Sequence, residues 1–308
     1  MDLLQSALKK HFVSVKVIDA SLTIGNIKEI ASAQIIFLDQ TTKITSTIRI
    51  FNKTKVIQIW HAGGAYKCVG FDAWNGTRAD LNRIKRIHGN NDYIVTSDKK
   101  LTPIYAQAFN LKEERVLPIG LLRSDQYFNL KIDHSEKVVL FAPTFRTNKS
   151  GLRYLSYGKE EILQLKTKLE NIGYRLALRL HPSIKNIEIS GILDWSNDPL
   201  EEILPKTSLL ITDYSSIIFD YCIFPGATFW LIPDVCEYKK ERGTYFDPLD
   251  VFPRYSATTI EDLVDKINAP FEQNNQVLRE EFMSDCDGHS IERMVKFVNF
   301  LIKQEKNK

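Results

Sequence analysis

Residues 208–221, SLLITDYSSIIFDY, constrain the fold more than any other stretch of the chain. Residues 209–212 are apolar and end on a β-branched pair, as a buried parallel strand requires. The apolar run stops at Asp213, and Ser215 and Ser216 are good N-caps for the apolar IIFDYCIF that follows. A strand that turns directly into a helix leaves unpaired backbone N–H groups at the helix start. Flanked by two hydroxyls, those groups make an anion site suited to phosphate. The plainer reading is that Asp213 and Ser215 only cap a buried helix.

Strand and helix signals alternate along the rest of the chain. Strand-like runs fall at residues 12–18 (FVSVKVI), 33–39, 56–60, 93–96, 115–119, 138–141, 175–180 and 228–232. Helical periodicity falls between them at 24–31, 79–87, 103–109, 159–172 and 200–204, and later at 260–267 and 290–302. Such alternation marks parallel sheets with crossover helices, so the expected class is α/β, doubly wound. With 308 residues, 44% of them apolar, the chain can fill two ordinary cores. The polar stretch 125–136 is the candidate junction. It divides the chain into Rossmann-like domains at 1–130 and 131–308, with the last helix free to pack back on the first.

In doubly wound folds, ligands sit beyond the carboxyl ends of the strands. Four strand ends here carry polar chemistry. Residues 56–60 run into HAGGAYK, which puts His61 at such an end. Gly63 and Gly64 permit close backbone approach, and Lys67 adds a cation. The spacing of a P-loop is absent. Thr144 and Arg146 follow the 138–141 strand on an expected loop, because Pro143 cannot continue a central strand. There Arg146 can fork two donors onto a phosphate. R-L-H-P closes the 175–180 strand; alternation puts Arg179 and His181 on one side, and Pro182 stops the run. Asp213, Ser215 and Ser216 form the fourth end. Arg242 lies in 236–248, read as a loop long enough to suspect function. A strand-end histidine or an Arg–His surface pair also occurs for structural reasons alone.

Composition narrows the classes further. A net charge of +3 argues against a dedicated nucleic-acid protein. Cys68, Cys222, Cys236 and Cys286 show neither metal spacing nor a disulfide framework, so a reducing, cytoplasmic setting is expected. No apolar run reaches bilayer length, and residues 1–10 lack a signal-peptide core. No carboxylate cluster demands a metal, although Asp213 could hold one, and no cofactor is expected. The helix at 79–87 sets Arg83, Lys85 and Arg86, followed by His88, around its apolar positions. That is either a solvated basic face or a surface for anionic lipid.

Several longer motifs occur together: QIWHAGGAYKCVG, LFAPTFR, LRLHP, ITDYSSIIFDY, RGTYFDP and DCDGHSIERM. Their order resembles that of the CDP-glycerol glycerophosphotransferase family of teichoic acid synthesis, over about residues 56–294. NDYIVTSD and LPIGLLRSD look like the family's intervening segment. The resemblance implies a GT-B-like fold, two Rossmann-like domains facing a cleft. It implies transfer of glycerol phosphate, or ribitol phosphate, from a CDP donor to an undecaprenyl-type lipid-linked glycan, with release of CMP. His61 matches the family's proposed base and His181 its second essential histidine, with Arg179 beside it. Ser215 and Ser216 match the donor-phosphate site. The lipid-linked acceptor implies peripheral attachment at the inner face of the plasma membrane. The HAGGA form looks closer to the primases than to the polymerases, although the chain's N-terminal region is short for the family. Two α/β units occupy nearly all of 12–302, so one added unit or very few is the expected product. Competing readings are a GT-B glycosyltransferase, a sugar-nucleotide epimerase and a non-catalytic nucleotide-binding relative. The joint presence of His61, Arg179 and His181 argues against the last.

Overall fold

Four short apolar runs assemble the first sheet: β1 (Ile35–Leu38), β2 (Lys55–Gln58), β3 (Tyr93–Thr96) and β4 (Val116–Pro118). They lie in the order β1-β2-β3-β4, every pair parallel. The computed structural model describes residues 2–19, 21–40, 42–48, 50–51, 53–74, 76–147, 153–181, 184 and 189–306. Parallel strands are covered on both faces, which is why Val56, Ile57, Ile94 and Val95 are apolar and without solvent exposure. Helices return the chain between strands, and their starts are capped as their sequences dictate. Thr77 accepts from the Asp80 N–H ahead of the helix Arg78–His88, and Thr23 does the same for Ile24–Ser32. The expected strand at 12–18 does not form. Val13 and Val17 stand exposed, and no neighbouring strand takes up their ladder. A β-branched run becomes a strand only where a partner strand accepts its hydrogen bonds.

The second sheet has six parallel strands: β5 (Val138–Ala142), β8 (Arg175–Leu178), β9 (Leu193–Asp194), β10 (Thr207–Thr212), β11 (Ala227–Leu231) and β12 (Ser256–Ala257). Between β5 and β8 the chain adds an antiparallel hairpin of β6 (Phe145–Thr147) and β7 (Arg153–Leu155). The strand order is β12-β11-β10-β5-β8-β9. From β5 the chain winds outward through β8 to β9, then returns to the other side of β5 for β10, β11 and β12. The direction of winding therefore reverses between β5 and β10. That reversal is the topological switch point where open α/β sheets bind ligands.

Each sheet has its own core. In the second, helix Lys159–Asn171 lays Ile162, Leu165 and Leu169 onto Val139, Phe141, Leu176 and Ile211. In the first, the C-terminal helix Ser290–Lys306 brings Met294, Val298 and Leu301 against Ile57, Val95 and Leu117. The chain accordingly divides into Met1–Phe128 with Glu281–Lys308, and Asn129–Glu280. Residues 281–308 thus belong with the first sheet, and a helix that the sequence pattern did not single out, Asn275–Phe282, spans the return crossing. Among the described residues, no helix is long and apolar enough to cross a membrane.

Candidate functional site

The switch point of the second sheet is built around Asp213, the first residue after β10, which has no solvent exposure. Its carboxylate accepts from the Thr144 N–H at 2.9 Å, the Thr144 hydroxyl at 3.0 Å and the Tyr214 N–H at 2.6 Å. The end of β10 is thereby tied to the segment leaving β5. Arg146 lies on β6, on a hairpin rather than the expected open loop. Its guanidinium does not present a spare fork to a phosphate, as the sequence led us to expect. Nε and Nη2 donate to Asp234 at 2.8 and 3.1 Å, Nη2 also to Asp213 at 3.1 Å, and Nη1 to Thr144 at 2.7 Å. A guanidinium this far from water keeps its charge only where carboxylates compensate the lost hydration. Burial opposes that charge, but Asp234 and Asp213 outweigh it and hold the group firmly protonated. Arg146 also sits 5.0 Å from the rings of Tyr214 and Tyr238, which stack on each other at 3.5 Å. Asp213, ringed by donors and a cation, is correspondingly unsuited to a metal ion.

Asp234 was missed in the sequence. The signal was available, because it lies three residues beyond the apolar β11 strand, after Pro233, on the same strand-end pattern as Asp213 beyond β10. Burial alone would raise its carboxyl, but hydrogen bonding and charge from Arg146, with the Tyr214 hydroxyl, hold it below its ordinary range. Ser215 and Ser216 are half-buried at the start of a helix, Ile217–Tyr221, of only five residues. The Ser215 hydroxyl accepts from the Ile217 N–H at 3.3 Å, while Ser216 occupies the N-cap position without a cap hydrogen bond. β8 stops at Leu178, so Arg179 and His181 lie beyond it and strand alternation does not order them. Arg179 donates to the carbonyls of Trp195 and Asp198 at 2.8 and 2.6 Å. His181 is exposed, with its ring 4.6 Å from Phe145, whose face also carries Arg153. Partial desolvation and the Arg153 charge lower its pKa. Pro182 lies outside the described residues. Arg242 is exposed at the end of the helix Val235–Glu241, so the first half of 236–248 is helical rather than loop. Its good helix formers, Glu237, Lys239, Lys240 and Glu241, account for that.

In the first unit, His61 follows the carboxyl end of β2 through a backbone that few residues tolerate. Trp60 has φ of 58°, a left-handed conformation that is a true outlier for a bulky side chain. Its ring lies 4.5 Å from that of His61 and 5.0 Å from Phe109. His61 reaches solvent, yet surrounding groups strip enough water to lower its pKa, and the charges of Arg123 and Lys67 act the same way. The Asp39 charge and a hydrogen bond to its backbone carbonyl oppose them. Gly63 and Gly64 are buried, and Gly64 adopts φ of 56°. Lys67 is half-buried. His88 departs from the expected basic face: it is turned inward against Phe109, and burial with the Arg83 charge lowers its pKa to about 4. Arg83 itself pairs with Asp80 at 2.6 Å, so within the run 83–88 Lys85 and Arg86 remain as exposed cations. Among the described residues, no three His, Cys, Asp or Glu side chains cluster as metal ligands.

The sequence model of the CDP-Glycerol:Poly(glycerophosphate) glycerophosphotransferase family matches residues 9–299. The chain belongs to this family. Among related glycerophosphotransferases, the teichoic acid glycerol-phosphate primase of Bacillus subtilis is 29% identical, over 88% of this chain and 74% of that one. The teichoic acid ribitol-phosphate polymerase TarK of Staphylococcus aureus is 30% identical, over 87% of this chain and 56% of that one. A variant of the wall teichoic acid polymerase TagF, soaked with CDPG, has the same fold. It superposes with a TM-score of 0.78 at 22% identity, covering 98% of this chain and 85% of that one. The chain thus has the GT-B-like α/β fold expected of the family, with a parallel sheet in each of its two units. The family motifs also coincide with the strand ends described above: HAGGA after β2, APTFR after β5, R-L-H beyond β8 and DYSS after β10.

Proposed function

We propose that this glycerophosphotransferase moves glycerol phosphate from CDP-glycerol to a hydroxyl of a lipid-linked glycan and releases CMP. The observation that carries the reading is a family match that spans both sheets, joined to similarity with a glycerol-phosphate primase over 88% of the chain. In the reaction, the acceptor oxygen forms a bond to the glycerol-bearing phosphorus as the bond to the CMP oxygen breaks. His61 takes the acceptor proton; a histidine depressed below its ordinary pKa is neutral at physiological pH and ready for that task. Lys67 serves the acceptor side of this step, and the buried Gly63 and Gly64 form the turn that carries His61. Ser215, Ser216, Arg179, His181 and Arg242 serve the donor diphosphate, whose charge grows as CMP leaves. Thr144, Arg146 and Asp213 hold the donor loops rather than touch the phosphates, since their polar atoms are engaged with one another.

The product is one added unit or very few, as the HAGGA form of the first motif favours. Attachment at the inner face of the plasma membrane belongs to the same reading, because the acceptor is lipid-linked. The test supplies excess CDP-glycerol with a lipid-linked disaccharide and follows CMP release and product mass over time. One added glycerol phosphate supports the reading. A ladder of many units overturns the primase assignment, turnover of CDP-ribitol alone changes the polyol, and UDP-sugar turnover removes the activity.

A further inference from the structure

The loop that carries His61 is closed by buried hydrogen bonds. Gly64 ends the loop, and its peptide is held from both sides. Its N–H donates to the hydroxyl of Ser97, after β3, at 2.9 Å. Its carbonyl accepts from the Tyr105 hydroxyl at 2.7 Å. Ser97 and Tyr105 are buried, and the left-handed φ of Gly64 aims both peptide groups inward. The Ser97 hydroxyl passes its own proton to the carbonyl of Phe282 at 2.7 Å. Near the start of the loop, the Trp60 and Tyr105 rings both pack on Phe109, at 5.0 and 5.8 Å. The chain of donation runs from Tyr105 to Gly64, and from Gly64 to Ser97 to Phe282. The Gly64 turn that follows His61 is pinned by it.

We infer that Ser97 is a positioning residue for His61, fixing the Gly64 turn on the segment that returns from Asn275–Phe282. The inference rests on His61 being the base proposed above. Ser97 is suited to this because its one hydroxyl serves both partners at once, accepting from Gly64 and donating to Phe282. Its backbone carbonyl takes the Asp285 N–H at 3.2 Å as well, so the returning segment is docked on the same residue. Neighbouring Asp98 holds that segment too, accepting from the Ser284 N–H at 3.1 Å, but it makes no bond to the His61 loop. The pair separates positioning from simple docking.

The experiment compares Ser97→Ala, Tyr105→Phe and Asp98→Asn in the full chain, with CDP-glycerol and a lipid-linked disaccharide. Misplacing a reacting group by an ångström can cost about 10²-fold, so Ser97→Ala and Tyr105→Phe should each lower kcat about tenfold or more with donor KM unchanged. In the resting protein, NMR titration of the His61 ring should move up toward the ordinary histidine value as the loosened loop rehydrates. Asp98→Asn should lower thermal stability yet leave kcat and the titration as in the wild type. Unchanged kcat and titration in Ser97→Ala and Tyr105→Phe would overturn the inference, as would an equal loss of kcat in Asp98→Asn. The titration needs no donor. If the wild type released no CMP, it alone would decide the role of Ser97 while the proposed activity failed.

Discussion

The guanidinium of Arg146 lies 3.1 Å from the carboxylate of Asp213, a side chain with no exposure to solvent. Asp234 takes the other edge of the same guanidinium at 2.8 Å. One cation thus joins the ends of β10 and β11 to the hairpin after β5, at the point where the sheet reverses its winding. Breaking a buried pair leaves an uncompensated charge, which costs more than the pair itself contributes.

Arg146→Met should therefore destabilise the protein by about 3–5 kcal/mol, because two carboxylates lose their counter-ion. Ser216→Ala, which removes no buried charge and no cap bond, should stay within about 0.5 kcal/mol. Denaturant titration of both variants checks the contrast. Equal midpoints would mean that the Arg146 network contributes nothing to the fold.

The acid limb of kcat/KM should fall below the ordinary histidine range. Desolvation, then the charge of Arg123, lowers the His61 pKa, and the base works only when deprotonated. Activity should accordingly rise with pH through that lowered value and stay level above it. His181 is lowered as well, so NMR titration of the two rings in the resting protein assigns the limb to one of them. His61→Ala should lose about 10²–10⁴-fold in kcat while keeping CDP-glycerol affinity within a few-fold. A folded His61→Ala enzyme with normal turnover would end the base assignment.

Donor affinity should depend on residues of the second sheet. A hydrogen bond to a charged group contributes about 1.5–3 kcal/mol, so Ser216→Ala should weaken CDP-glycerol binding by roughly ten- to a hundredfold. Arg179→Ala should weaken it further, since the Trp195 and Asp198 carbonyls lose their donor at the same time. Calorimetry with unchanged affinity in both variants would remove the diphosphate from this sheet end.

Stability should decline in mild acid through His88. Its folded pKa is lowered to about 4, so the unfolded chain binds a proton near pH 6.5 that the fold rejects. Nothing is lost above pH 6.5; between pH 6.5 and 4 the fold loses up to about 3 kcal/mol. His88→Leu should flatten that part of the stability–pH curve. An unaltered slope in the variant would assign the acid sensitivity elsewhere.

Membrane attachment, if electrostatic, should run through Lys85 and Arg86 rather than the whole basic run, because Arg83 is paired with Asp80 and His88 faces inward. Lys85→Glu with Arg86→Glu should reduce sedimentation with anionic vesicles, and salt should weaken binding of the wild type. Equal sedimentation of the two proteins would exclude this helix as the contact.

The sequence alone determined the strand–turn–helix at Asp213, the alternating α/β order and the four strand ends that bear polar residues. These features are local: apolar runs, proline stops and caps act over a few residues, and their physics is written in adjacent positions. Tertiary structure decided which of those polar residues are spent on each other. Arg146 reads as a phosphate fork until Asp213 and Asp234, far along the chain, converge on it. His88 reads as part of a cationic face until the Phe109 ring covers it. Residues 12–18 read as a strand, but a strand needs a partner edge, which no single segment specifies. Ser97 sits in the NDYIVTSD segment, but nothing local gives it a role; only folding brings its hydroxyl between Gly64 and Phe282. Long-range pairing of charges and hydrogen bonds depends on which strand ends become neighbours, and that follows from the sheet order rather than from any local pattern.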